Sequence, residues 1–409
     1  MTRLRVVHYT HTAFLEPALQ LAGELARETE LHLVVEVSPG AWQSGAFDLA
    51  DRNLAEGVVP AEPLLRDAFP ADVRRCWEGL ASFSLASHPS GRSFGLHARR
   101  VSLKVLQFVR GLAPDLLHID DPDVTPRLAL AARDLPPVPT VVSVYDPLPH
   151  LGERNWRKEL SRRLLFRRAQ RFVVHHEHGR AEFCRRHRLS PDLVGVVRQG
   201  SFELLRAYTT PGVEPDPATV LFVGRLSPYK GLDVLFQAAP LIAERLPGVR
   251  FVVAGRPIPG YRLPPAPPLA GDGTVEVRER YLPNRELAEL VQGAGLVVCP
   301  YVDASDSGVV LTAFGLGRPV VASSAGGLAE YVKDGVTGLV VAPRDAAALA
   351  TAVLRVAGDG ELRGHLEQGI AAARAGELSW RRVADELLRT YQACMAAERG
   401  PRRVERPAG

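Results

Sequence analysis

Two cations flank a turn in "LFVGRLSPYKGLDVLFQA", residues 221–238. An apolar run ends at Gly224, Arg225 and Lys230 bracket the turn, and Gly231 opens an amphipathic stretch. Paired cations at the carboxyl end of a strand, beside a helix start, suit a diphosphate carrying about two negative charges. A surface Arg and Lys beside an ordinary turn would look the same. A second stretch, "DASDSGVVLTAFGLGRPV" at 303–320, reads as a polar turn whose Gly308 opens a short apolar helix stopped by Gly317-Arg318-Pro319. The first amides of such a helix lack carbonyl partners, so those of Gly308, Val309 and Val310 can donate to a phosphate whatever their side chains. Asp303 and Asp306 stand beside this start. Asp306 or Ser307 could simply cap the helix.

Twelve histidines offer further candidates. "HHEH" at 175–178 follows a predicted strand, where alternation sends neighbours to opposite faces, and no second ligand cluster supports a metal there. His118 in "LLHID" and His150 in "YDPLPHLGE" lie at or just past predicted strand ends and are expected to face a cleft, with Asp146 close to His150 in sequence. The first strand ends in "HYTHTAFLEPAL", so the amides of Thr12 and Ala13 could approach a phosphate or a second substrate. Ordinary capping by Thr12 is the alternative.

These residues need a frame. Short β-branched runs alternate with amphipathic stretches, the pattern of parallel sheets with crossover helices. Strands are predicted at 4–9, 31–37, 115–119, 140–144, 171–175 and 194–197, with helices at 15–27, 93–111, 126–133, 156–168 and 180–187. Residues 38–92 read as irregular, an insertion over one end of the sheet. Three prolines and a glycine in 208–217 mark a linker. The pattern then restarts, with strands at 220–224, 250–255, 274–279, 296–301, 318–323 and 337–341. The fold class is therefore α/β, two Rossmann-like doubly wound domains facing a cleft, with domains at 1–207 and 219–378 around a linker at 208–218. The amphipathic helix at 380–397 can pack back on the first domain. Ligands of such sheets bind at the carboxyl ends of the strands.

The motifs carry a resemblance. "FVGRLSPYKGLDVLFQA" followed by "GRPVVASSAGGLAEYVKDGVTGLVV" (317–341) resembles family 4 of the retaining glycosyltransferases, with the two-domain GT-B fold. "DLLHIDDP" (115–122) and "VVSVYDPLPHLGE" (141–153) resemble the family more loosely. The resemblance implies transfer of a sugar from a nucleotide-diphosphate donor with retention. It implies an acceptor-side first domain and a donor-binding second one, and no cofactor or metal. By matched position Arg225 and Lys230 would hold the diphosphate beside Gly224. Aligning Gly317-Arg318-Pro319-Val320 with the family's Gly-Lys-Pro-Val puts its two glutamates, which usually contact the donor sugar and the ribose, at Ala304 and Thr312. Both carboxylates are missing. A Thr312 hydroxyl can pair with one ribose oxygen but not with both hydroxyls; Asp303 or Asp306 could substitute at the sugar. Tyr145-Asp146 stands where the family often has His-Asp, so His150 or Asp146 is the candidate to orient the acceptor hydroxyl. His118, Thr12 and Ala13 complete the expected acceptor side.

The totals narrow the class. At 409 residues the chain is long for a single core, and two domains are the default. No run of eighteen apolar residues and no signal-like hydrophobic region is seen, so a cytoplasmic place is expected. Cys76, Cys184, Cys299 and Cys394 form no Cys-x-x-Cys pair, which gives no support to zinc or redox motifs. The formal charge is +4, yet residues 151–188 carry twelve Lys/Arg against four Asp/Glu. A basic helix at 154–171 could meet an anionic lipid head group at the inner face of the membrane, or a phosphate-bearing acceptor. A solvated helix face is the plain alternative. A sugar, a lipid-linked glycan precursor or a small molecule can serve as acceptor on this reading, and nucleic acid is the weaker partner. The competing classes are a non-catalytic nucleotide-sugar-binding protein of the same fold and a nucleotide-sugar 2-epimerase. No Gly-x-Gly-x-x-Gly follows the first strand, which sets a nicotinamide enzyme aside.

Overall fold

Runs rich in Val, Leu and Phe become buried strands in the computed structural model of the chain, which describes residues 3–39, 43–44, 47–48, 54–88, 95–121, 125–147, 156–304 and 307–398. The first half forms β1 (Leu4–His11), β2 (Thr29–Val37), β3 (Gln43–Ser44), β4 (Phe47–Asp48), β5 (Gly57–Pro60), β6 (Ser82–Ser87), β7 (Leu116–Asp120), β8 (Thr140–Val144), β9 (Arg171–Val174) and β10 (Val194–Val196). An eight-stranded sheet runs β10-β9-β8-β7-β1-β2-β6-β5, and β3 and β4 pair separately. Only β5 is antiparallel in the large sheet, lying on β6.

The second half forms β11 (Asp216–Val223), β12 (Arg250–Ala254), β13 (Thr274–Arg278), β14 (Ala294–Cys299), β15 (Val320–Ser323) and β16 (Gly338–Val341). They make a six-stranded parallel sheet in the order β13-β12-β11-β14-β15-β16. In both sheets the order reverses partway, between β1 and β7 and between β11 and β14. Loops leaving those strands diverge to opposite faces there and open a crevice.

Residues 38–92 correct the sequence reading. They are not a simple insertion: β6 pairs in parallel with β2 from His32↔Ser82 to Val37↔Ser87 and extends the sheet. The segment "SFSLAS" is half serine, so its hydrophobicity does not mark it. Ladder hydrogen bonds and burial of Phe83 and Leu85 make it a strand. The linker is also shorter than its composition implies, because Asp216 and Pro217 already belong to β11.

The final helix, Trp380–Glu398, crosses back to the first half. Val383, Ala384, Leu387, Tyr391 and Cys394 join Leu15, Leu19, Leu31 and Leu33 in one core. Burying five such side chains in an apolar core, at about 1.5–3 kcal/mol for each large one, holds the helix to the first domain. No disulfide joins the four cysteines. Among the described residues no helix is long and apolar enough to cross a membrane.

Candidate functional site

The β11–β14 reversal builds the cationic wall. Gly224 follows β11 with φ +108, and a Cβ there would lie 2.9 Å from Val309 and 3.3 Å from the Lys230 ammonium. Any side chain would therefore fill the space between the lysine and the helix start, which glycine keeps open. Gly231, at φ +69, turns the chain into helix Leu232–Ala243, where a Cβ would strike the Pro300 carbonyl at 2.0 Å. Arg225 is exposed at this rim, whereas Lys230 is buried.

Tyr301 is the post that sequence reasoning missed. Lys230 Nζ donates to its hydroxyl at 3.0 Å and lies 4.8 Å from its ring centroid. The same hydroxyl is 3.3 Å from Ser307 Oγ, which accepts the Val310 amide at 3.4 Å. Burial pushes the Tyr301 phenol well up, so it stays neutral and able to bridge. One side chain thus ties the cation to the start of helix Gly308–Gly315. The only sequence signal was a tyrosine directly after a buried strand in "VVCPY".

The cap also corrects an expectation. The Val310 amide is taken by Ser307, leaving those of Gly308 and Val309 as the helix-start donors toward the cleft. Thr312 lines the cleft one turn further on, and Asp303 lies outside its lining. Ala304 is buried against Gly326, whose Cβ would fall 1.6 Å from the Ala304 carbonyl oxygen. Asp306 and His150 fall outside the described residues.

Facing this wall, the N-terminal half supplies Thr12, Ala13, Glu16, Pro17 and Asp146. The Ala13 amide is already occupied: His11 caps the turn, its Nδ1 accepting from Ala13 at 3.0 Å. Burial lowers His11 to about 4, which keeps that nitrogen an acceptor. Capping therefore falls to His11 rather than Thr12. Between the walls, Phe202 closes the cleft against Gly308, its amide donating to the Leu311 carbonyl at 3.0 Å. The cleft measures about 430 Å³, with Tyr229, Leu287 and Val223 completing its C-terminal wall.

His118 does not reach the cleft. It pairs with His8 across β1 and β7, and the two rings stack at 4.4 Å. Its Nε2 meets Ser143 Oγ at 2.7 Å and its Nδ1 meets the Tyr391 hydroxyl at 2.8 Å. The last helix covers this end of the sheet, a long-range packing that strand periodicity cannot show. Burial lowers His118 to about 3, while His8, 2.9 Å from Asp120, helps hold that carboxyl at about 2. His8, His118 and Asp120 are close enough to suggest a metal set. Their geometry does not fit one: imidazoles bind metals in the ring plane, and rings stacked 8° from parallel cannot share an ion.

"HHEH" joins the two halves instead. Glu330 accepts from the amides of Glu177 at 2.9 Å and His178 at 2.7 Å. Tyr331 donates to the His175 carbonyl at 2.9 Å and accepts from the Gln199 amide at 3.2 Å. The basic run is likewise partly internal. Arg162 is buried and donates to the carbonyls of Asp146 and Pro147, so it belongs to the fold rather than to a surface patch.

Residues 18–200 match the family model described as Glycosyltransferase Family 4, and residues 217–359 match Glycosyl transferases group 1. The D-inositol 3-phosphate glycosyltransferase of Saccharomonospora viridis is 35% identical over 250 residues, 57% of this chain and 57% of that protein. Its namesake in Mycobacterium marinum is 33% identical over 242 residues, 55% of this chain and 50% of that protein. The chain spans about half the length of the curated relatives it matches. Anabaena HepE, solved with UDP and glucose, is similar in structure with TM-score 0.65 and 17% identity, covering 96% of this chain and 100% of that one. That likeness shows the fold, the two-domain GT-B arrangement.

Proposed function

The chain belongs to glycosyltransferase family 4, and from that premise we propose that it transfers a sugar from a nucleotide-diphosphate donor to an acceptor hydroxyl, with retention and without a metal. The observation that carries this reading is one cleft in which Gly224, Arg225 and Lys230 meet the amide end of helix Gly308–Gly315. UDP is the first diphosphate to test, because Anabaena HepE was solved with it.

As the bond from the anomeric carbon to the diphosphate oxygen breaks, negative charge grows on that oxygen. Lys230, held by Tyr301, and the Gly308 and Val309 amides are in place before the reaction, and with Arg225 they stabilise that charge more than they stabilise the ground state. The acceptor oxygen bonds to the anomeric carbon on the face the diphosphate leaves. Its proton passes to the departing phosphate oxygen, so the route needs no protein base. Asp146, lining the opposite wall, orients the acceptor hydroxyl, and Thr312 pairs with a ribose oxygen.

Thermal shift and donor hydrolysis with UDP-, GDP-, ADP- and TDP-sugars test the reading. At least one should bind and turn over. Absence of any donor binding would sink it. Binding without turnover across acceptors would favour the non-catalytic reading, which the missing carboxylates at Ala304 and Thr312 support.

Helix Trp156–Phe166 supports a finer proposal, that the acceptor side rests on an anionic membrane. Trp156 is 67% exposed, and Arg157, Arg163 and Arg167 are exposed near it. Co-sedimentation with phosphatidylglycerol vesicles should weaken when Arg163 and Arg167 become glutamine. Unchanged association would remove the membrane.

A further inference from the structure

The cleft divides its charge by side. Among the described residues lining it, the cations Arg225 and Lys230 belong to the donor wall, and the carboxylates Glu16 and Asp146 belong to the acceptor wall. Glu16 sits in the first turn of helix Leu15–Leu25. Its carboxyl lies beside the backbone amides of Leu204 and Leu205, in the segment that joins the two halves. Its Oε1 is buried and has no hydrogen-bond partner. A buried carboxyl oxygen left bare is costly until something donates to it. Burial raises this carboxyl to about 7, where it can accept from a hydroxyl or donate to one.

Resting on the transferase reading, we infer that Glu16 is an acceptor-binding residue and that the acceptor is an unphosphorylated polyol, one hydroxyl of which partners the Glu16 carboxyl where it lines the cleft. A phosphate on the acceptor would face Asp146 on its own wall, joined by Glu16 once the pH exceeds about 7, and the donor diphosphate across the cleft. Like charges meet it from both directions, while the lining cations are engaged by the donor. The curated relatives are named for an inositol phosphate, so the inference separates this chain from them in acceptor chemistry.

The test uses the full chain saturated with UDP and matched pairs: myo-inositol with its 3-phosphate, glucose with glucose 6-phosphate, and glycerol with glycerol 3-phosphate. Calorimetry reads binding, and KM and kcat are measured wherever a UDP-sugar turns over. In the pair that binds, the unphosphorylated member should bind at least about tenfold more tightly. Glu16→Gln should raise its KM about tenfold, leave kcat within about twofold, and narrow the gap to the phosphorylated member. Asp146→Asn should also narrow that gap. A roughly tenfold preference for the phosphorylated member of any pair overturns the inference. So does a lack of binding by every member, or a Glu16→Gln variant that loses thermal stability while the preference stays unmoved. UDP binding with phosphate preferred would end the inference alone. Failure of every nucleotide to bind would end the transferase reading and the inference together.

Discussion

The two halves of the molecule handle polar groups in opposite ways. At its strand reversal the N-terminal sheet buries His8, Thr10, Glu36, His118 and Asp120 within the strands. The matching strands of the C-terminal sheet bury Val220, Leu221, Phe222, Leu296, Val297 and Val298, and Arg225 and Lys230 stand on the loop beyond β11. One half is an apolar frame that presents loops to a ligand. The other holds a buried network of Glu36, Tyr9 and Arg127, beside a second of His118, Ser143 and Tyr391. Each member of the first is costly to orphan.

The largest effect should come from orphaning that network. Glu36 accepts from Arg127 Nη1 at 3.0 Å and from the Tyr9 hydroxyl at 2.8 Å, all buried. Glu36→Ala should cost about 3–5 kcal/mol in urea unfolding, because a buried guanidinium loses its counter-charge. If it costs less than about 1 kcal/mol, as an exposed polar substitution would, the contrast between the halves fails. Next comes the donor wall. Lys230→Ala should lower kcat/KM with the best donor by about 10²–10³, or roughly 2.7–4 kcal/mol of barrier. Arg225→Ala should follow the same course, and unchanged kinetics would remove the cations from the mechanism.

Acid should separate the halves next. His118 is lowered to about 3, and His11 and His175 to about 4, chiefly by burial. Unfolded histidines titrate near 6.5, so between there and pH ~4 the unfolded chain binds more protons and stability falls with pH. Glu16, raised to about 7, takes its proton first in the folded state and so gains stability as pH falls toward ~4.5, offsetting about one histidine. Asp120, held at about 2, keeps its contribution until the pH drops below ~3.8. The urea midpoint should therefore fall from pH 6.5 to 4.5, with hydrogen exchange showing β1 and β7 losing protection before β11 and β14. Equal loss in both sheets would contradict the assignment. Smallest is the contact that joins the halves. Tyr331→Phe removes the bonds to His175 and Gln199 and should cost about 1 kcal/mol, read as a lowered unfolding midpoint.

Legibility follows the same division. Gly224, Arg225, Lys230 and Ser307–Val309 were readable because each lies within one strand-turn-helix unit, where local spacing fixes geometry. Tyr301 and Phe202 went unseen because their partners lie in other units, Lys230 at seventy-one positions from Tyr301 and Leu311 across from Phe202. His118 looked like a cleft residue because a strand end normally faces solvent. The helix that hides it begins more than two hundred and fifty residues later, its Tyr391 lying 273 positions away. Glu16 gave no signal at all, since one acid in a helical first turn is ordinary.

By itself the sequence determined two α/β halves, the linker between them and the glycine-bearing turns that meet at the cleft, because hydrophobic period and glycine placement act over a few residues. Tertiary structure alone decided that β6 completes the first sheet and that His11 rather than Thr12 caps the first turn. It also decided that His118 is sealed beneath the last helix and that carboxylates face cations across the cleft. Burial and charge pairing are set by which distant segments meet, and that is a property of the packed chain.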